Sequence, residues 1–147
     1  FSVFQGDVTR AKSVLYSKGL SEQGISGIYI GLTAEPNVNV SQPPLLLFEA
    51  AAHEMAHQMG IASENEAEFT AYLACVSSGD PNVRYSGLIY ALIVSGNALY
   101  KVDTERYIAC AETYGDAVWR DLEDYDAYWN AFEGEAQESA DKRNDAY

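Results

Sequence analysis

The sequence predicts a mainly α (α+β) domain in which a small β element precedes a central helix. Three observations predict this. Most of the 147 residues fall into segments that read as helices, bounded by capping residues, glycine or proline. β-rich sequence is confined to a short region between Ser26 and Val40. No internal repeat or low-complexity linker interrupts the chain, and its length fits one domain.

The elements follow in order. Asp7 as N-cap and Gly19 as stop predict a helix over Val8 to Lys18. Ser26-Gly27 leads into a strand at Ile28-Tyr29-Ile30. Val38 and Val40 alternate with Asn37 and Asn39, which predicts a second short strand or extended edge. Pro43-Pro44 closes this region and opens the central helix, Leu45 to Met59. Phe48, Ala52, Met55 and Met59 form one stripe on that helix, and Gly60 is a natural C′ stop. Ser63 with Glu66 is a capping-box pattern for a helix from Glu64 to about Ser77. Gly79-Asp80-Pro81 is a turn. Two more helices are expected, near Tyr85 to Tyr100 and Thr104 to Phe132, with a polar, frayed stretch after Gly134.

With 48% hydrophobic and 12% aromatic residues, the chain can bury a core. Its net charge of −13 comes from 22 acidic against 9 basic residues. That excludes the basic footprint of a nucleic-acid binder and disfavours anionic lipid. It favours a neutral or basic substrate. Cys75 and Cys110 form no CxxC pair, so thiolate ligation is not expected; they can form one disulfide or remain buried thiols, and the apolar helix read around both favours thiols. No segment reads as a membrane span or a signal peptide. The charged run Asp141-Lys142-Arg143-Asn144-Asp145 and the abrupt start suggest a domain excised from a longer protein.

The chemistry concentrates in His53-Glu54-Met55-Ala56-His57, which uses both histidines of the chain. Four-residue spacing on a helix sets two imidazoles on one face. Both can then reach one Zn²⁺ at about 2.0–2.1 Å. Glu54 is placed to take a proton from an attacking water. A catalytic zinc takes three protein ligands and keeps one open position. Gly60 matches the metzincin extension, but that pattern then requires a histidine where this chain has Ser63. The third ligand is therefore a carboxylate. The short turn at Gly60 folds the next helix back antiparallel, which brings Glu64, Glu66 and Glu68 near His57.

This arrangement resembles the gluzincins, the zinc peptidases with a glutamate ligand, and implies a zincin-like helical domain. Their ligand glutamate opens a pattern E-x-x-(small)-(Asp/Asn), whose last residue supports a histidine. Glu64-Asn65-Glu66-Ala67-Glu68 fits with Glu64 as ligand. The departure is Glu68, where Asp or Asn is usual. Glu66 remains an alternative ligand with a competing duty as capping partner of Ser63, and Glu68 stands behind both.

The chain also resembles a bacterial family of zinc-peptidase-like domains of unknown function. The resemblance rests on Gly24-Ile25-Ser26-Gly27-Ile28-Tyr29, Ala34-Glu35-Pro36-Asn37-Val38-Asn39, the stretch from His53 to Gly60, and Arg84-Tyr85-Ser86-Gly87. It covers roughly residues 10 to 100. It implies an extracytoplasmic metallopeptidase, tethered to the membrane by segments outside this chain. In zinc peptidases an edge strand beside the active helix pairs with an extended substrate. Gly27 to Leu32, or Val38 to Val40, can supply that edge or be ordinary core strand. Tyr85 is a candidate oxyanion donor, with Arg84 as the other; Asn37 and Asn39 serve to fix a turn.

The expected function is hydrolysis of a peptide or protein substrate, with Zn²⁺ on His53, His57 and Glu64 and Glu54 as general base. The alternatives are a non-catalytic zinc-binding sensor or partner-binding domain, and a helical interaction domain without metal.

Overall fold

A computed structural model describes residues 10–144, with side chains described to residue 132. The elements are β1 (Lys12–Ser13), α1 (Ser17–Ser21), β2 (Gly27–Ile30), β3 (Glu35–Val38), a 3-10 turn (Pro44–Leu46), α2 (Leu47–Gln58), α3 (Glu64–Val76), α4 (Pro81–Val102), α5 (Thr104–Ala111) and α6 (Asp116–Asn144). The fold is mainly α with a small three-stranded sheet, as the sequence predicts.

The sheet order is β1-β3-β2. β3 is central, parallel to β1 and antiparallel to β2. Among the described residues, the helix expected over Val8 to Lys18 is absent from Arg10 to Tyr16. Lys12 and Ser13 pair instead with Asn37 and Val38, and the helical turn starts only at Ser17. Ladder hydrogen bonds to a distant strand outweigh local helix propensity there. Asp7, the expected cap, lies outside the described residues.

Buried Asn39 ties the loop after β3 to the rest. Its Nδ2 donates to Ser21 Oγ at 2.8 Å and to Ile25 O at 3.0 Å, and its Oδ1 accepts from Ser41 N. This is the turn-fixing duty expected of it.

α2 is the centre of the fold and contacts β2, β3, α3 and α4. Its buried residues are Glu49, Ala50, Glu54 and Ala56. The stripe of Phe48, Ala52, Met55 and Met59 is therefore not its buried face, and Phe48 is 40% exposed. Two neighbouring layers crowd α2, and small side chains let them close in. Ala56 on α2 and Ala67, Ala71 and Cys75 on α3 are all almost fully buried. Gly87 serves the next contact, since a β-carbon there would meet Cys75 Cβ at 2.5 Å. Leu45, Leu46 and Ile89 form an apolar cluster, packed by Tyr85, Tyr90, Val118, Leu122 and Tyr125 among others.

Three sequence expectations about the helices are not met. Ser63 is the N-cap of α3 in extended geometry, but its side chain makes no capping hydrogen bond, so the capping box is absent. The helix expected from Thr104 to Phe132 is two helices, broken around Gly115. Thr113 Oγ1 bonds back to Cys110 O in the intervening turn, and Gly115 O accepts from Val118 and Trp119 as the next helix starts. Cys110 is exposed rather than buried; Cys75 is buried, and both are free thiols.

Candidate metal centre

α2 ends at Gly60, whose φ of +95° suits glycine. Gly60 N donates to His57 O at 2.9 Å, and Ile61 N donates to Ala56 O at 3.2 Å. This pair of bonds is the Schellman stop. The chain turns at once and starts α3 at Glu64. The result is a tight helical hairpin that returns Glu64 to the level of the two histidines.

Three donor atoms converge there. His57 Nε2 and His53 Nε2 are 3.0 Å apart. Glu64 Oε2 is 3.2 Å from His53 Nε2 and 3.5 Å from His57 Nε2. A tetrahedral ion with bonds of 2.0–2.1 Å separates its ligand atoms by about 3.3 Å. The observed triangle brackets that length, so these residues fit one small divalent cation.

The protonation pattern agrees. His57 Nδ1 lies 2.7 Å from Ile61 O. A carbonyl only accepts, so Nδ1 carries the hydrogen and Nε2 keeps its lone pair for the cluster. Burial, then the neighbouring His57, lowers the His53 pKa below the usual imidazole value. His53 is thereby held in its neutral, ligating form. The Glu64 side chain is 72% exposed, against 17% and 14% for His53 and His57. The cluster therefore opens to solvent on the α3 side.

Glu54 lies on the β2 side of the cluster, against Gly27 and near enough to His57 and Glu64 to feel both charges. In the β2–β3 register Tyr29 stands opposite Pro36, in a pair that exchanges no ladder hydrogen bonds. The Tyr29 backbone N–H points to the outer edge of β2 and donates to the Glu54 carboxylate. Burial pushes the Glu54 pKa up to about 7, against the pull of His57 and this bond. Gly27 makes the approach possible, because a β-carbon there would lie 2.7 Å from both Cγ and Oε1 of Glu54. The Tyr29 ring stacks on His57 with centroids 6.5 Å apart. β2 is an edge strand alongside.

The structure thus brings together His53, Glu54, His57 and Glu64. Among the described residues, this histidine pair and Glu64 form the cluster of cation-binding geometry, and Glu66 and Glu68 are not part of it. Glu68 instead bonds to the Tyr90 hydroxyl.

Tyr85 is not brought to the cluster. Its hydroxyl donates to Asp121 Oδ2 at 2.7 Å. The cavity it lines includes none of the four cluster residues. Arg84 donates to Ser78 O at 3.0 Å, in the turn before α4.

Two supporting residues escaped the sequence reading. Ile61 acts through its carbonyl, which no side-chain pattern reveals. Gly27 was read as part of a strand; its small-residue place opposite Glu54 needs the register to be seen.

Fold and site together define a mainly helical domain built around a three-donor cluster of cation size. Residues 1–147 match the family described as "Protein of unknown function (DUF3810)", and the chain belongs to that family. No curated protein and no solved structure matches it.

Proposed function

We propose that this domain is a zinc-dependent metallopeptidase that hydrolyses peptide bonds at the His53–His57–Glu64 cluster. The observation that carries the reading is the convergence of two imidazole Nε2 atoms and one carboxylate oxygen at 3.0–3.5 Å. A cation at the centre satisfies all three at once. Zn²⁺ bound there would supply a Lewis acid for the scissile carbonyl and acidify the attacking water.

The chain's own residues supply the rest. Glu54 accepts a proton from the water and delivers it to the leaving amine, and a carboxyl titrating near 7 suits both tasks. β2 is an edge strand, and its outer-edge groups other than the Tyr29 N–H can pair with an extended substrate beside Glu54. The surplus of acidic residues favours neutral or basic peptides. Tyr85, tied to Asp121, is left out of the chemistry. The same proposal sets the domain on the extracytoplasmic side of a membrane, on the family resemblance alone. No helix among the described residues is long and apolar enough to cross one.

The test is Glu54→Gln. Zinc content is measured beside cleavage of an internally quenched peptide library. Full zinc with no turnover is expected. A variant that cleaves as fast as the parent sinks the assignment of Glu54. A parent protein that binds zinc but cleaves no peptide sinks the peptidase reading.

A further inference from the structure

Tyr85 belongs to a second site, which does not depend on the hydrolytic reading. Phe48 precedes His53 by five residues, which sets it about 140° round α2 from the metal face. A cavity of about 310 Å³ opens there, lined by Pro44, Leu45, Phe48, Tyr85, Asp121 and Asp124 among others. Four of these are apolar or aromatic, and Phe48 is 40% exposed. Asp121 is fixed at the wall by the Tyr85 hydroxyl. Neither Asp121 nor Asp124 forms an ion pair among the described residues.

An apolar, aromatic cavity with two unneutralised carboxylates complements a ligand with an apolar stem and a cationic head. An arginine side chain has that build. Its guanidinium can lie over a ring and donate to carboxylates at its edge. The volume, near the lower limit for small-molecule pockets, accommodates one long side chain. The net charge of −13 draws cationic chains toward it. We propose that this cavity is an exosite for a basic side chain, arginine foremost, of a polypeptide substrate or partner.

The test is an NMR titration of the isotopically labelled protein with the peptide Ac-Gly-Gly-Arg-Gly-Gly-NH2. Parallel titrations use its citrulline isostere and free n-propylguanidinium. Shifts at the amides of Leu45, Phe48, Asn82 and Tyr85 are expected with the arginine peptide and not with citrulline. Asp121→Asn with Asp124→Asn should weaken binding about tenfold. Asp124→Asn alone, at an exposed position, should weaken it about threefold and serves if the double variant does not fold. Equal shifts with citrulline, or no shifts at these residues, overturn the proposal. Propylguanidinium that binds as tightly as the peptide makes this a small-cation site and overturns the polypeptide assignment.

Discussion

Gly27→Ala tests whether the position of Glu54, and not only its identity, matters. The new β-carbon would stand 2.7 Å from Glu54 Cγ and Oε1 and 3.1 Å from Asn37 O. Non-bonded carbons rest at about 3.5–4.0 Å. The strand is held by its pairing to β3, so the glutamate side chain yields first, by about 1 Å. A misplacement of that size costs about 100-fold in rate, which corresponds to about 3 kcal/mol in the barrier. Gly27 is not in the left-handed region, so alanine adds no backbone strain. The three atoms nearest the added β-carbon belong to Glu54 and Asn37, none to His53, His57 or Glu64. The assay is turnover of a quenched peptide, with zinc content measured on the same sample. A hundredfold lower kcat is expected, with zinc and KM nearly unchanged. Parental kcat in the variant would refute the argument, and so would loss of zinc together with activity.

The other predictions concern ligands, pH and packing. Glu64→Ala should lose zinc at concentrations that saturate the parent, while Glu66→Ala should retain it; dialysis against a metal buffer distinguishes them, and the reverse result moves the ligand to Glu66. Buried Glu49 has its pKa raised from 4.5 to about 7, by burial first and then by Glu68 and Glu54. The folded state therefore holds a proton there that the unfolded chain has released, so stability falls as pH rises from about 4.5 to 7. The loss is at most about 3 kcal/mol. Urea unfolding of the metal-free protein at pH 5 and pH 8 should show it on top of a like contribution from Glu54, and Glu49→Gln should remove about half of the difference; an unchanged pH dependence in the variant counts against this account. Gly87→Ala forces a β-carbon to 2.5 Å from Cys75 Cβ. It should cost about 1–3 kcal/mol by overpacking, read as a lower urea midpoint, and an unchanged midpoint would show that α3 and α4 can part cheaply.

The features readable from sequence were those set by local chemistry. The i, i+4 histidines, the Gly60 stop, and Glu64 as first residue of the next helix all follow from short-range rules. The strand at Gly27–Ile30 does too. What escaped depends on partners distant in sequence. Lys12–Ser13 is a strand because Asn37–Val38 is there to receive it. Tyr85 stands in the sequence as a candidate oxyanion donor, and only the return of α6 reveals Asp121 as its hydrogen-bond partner. The apolar stripe on α2 misled because two layers crowd this helix, and alanines fit those contacts better than Phe48 or the methionines. Glu49 and Glu54 are buried carboxyls that a hydropathy pattern assigns to the surface.

The helical hairpin has a consequence for how the domain assembles. All three converging donors lie within residues 53–64, separated by little more than one tight turn. Closing so short a loop costs little chain entropy. Low contact order favours speed, so the hairpin can form before Lys12 finds Asn37 across the chain. A cation captured at that moment would act as an early clasp, and at one hundred times its dissociation constant would add about 2.7 kcal/mol to the folded state. In this protein the left-handed turn at Gly60 would then govern the order of folding as well as the shape of the site.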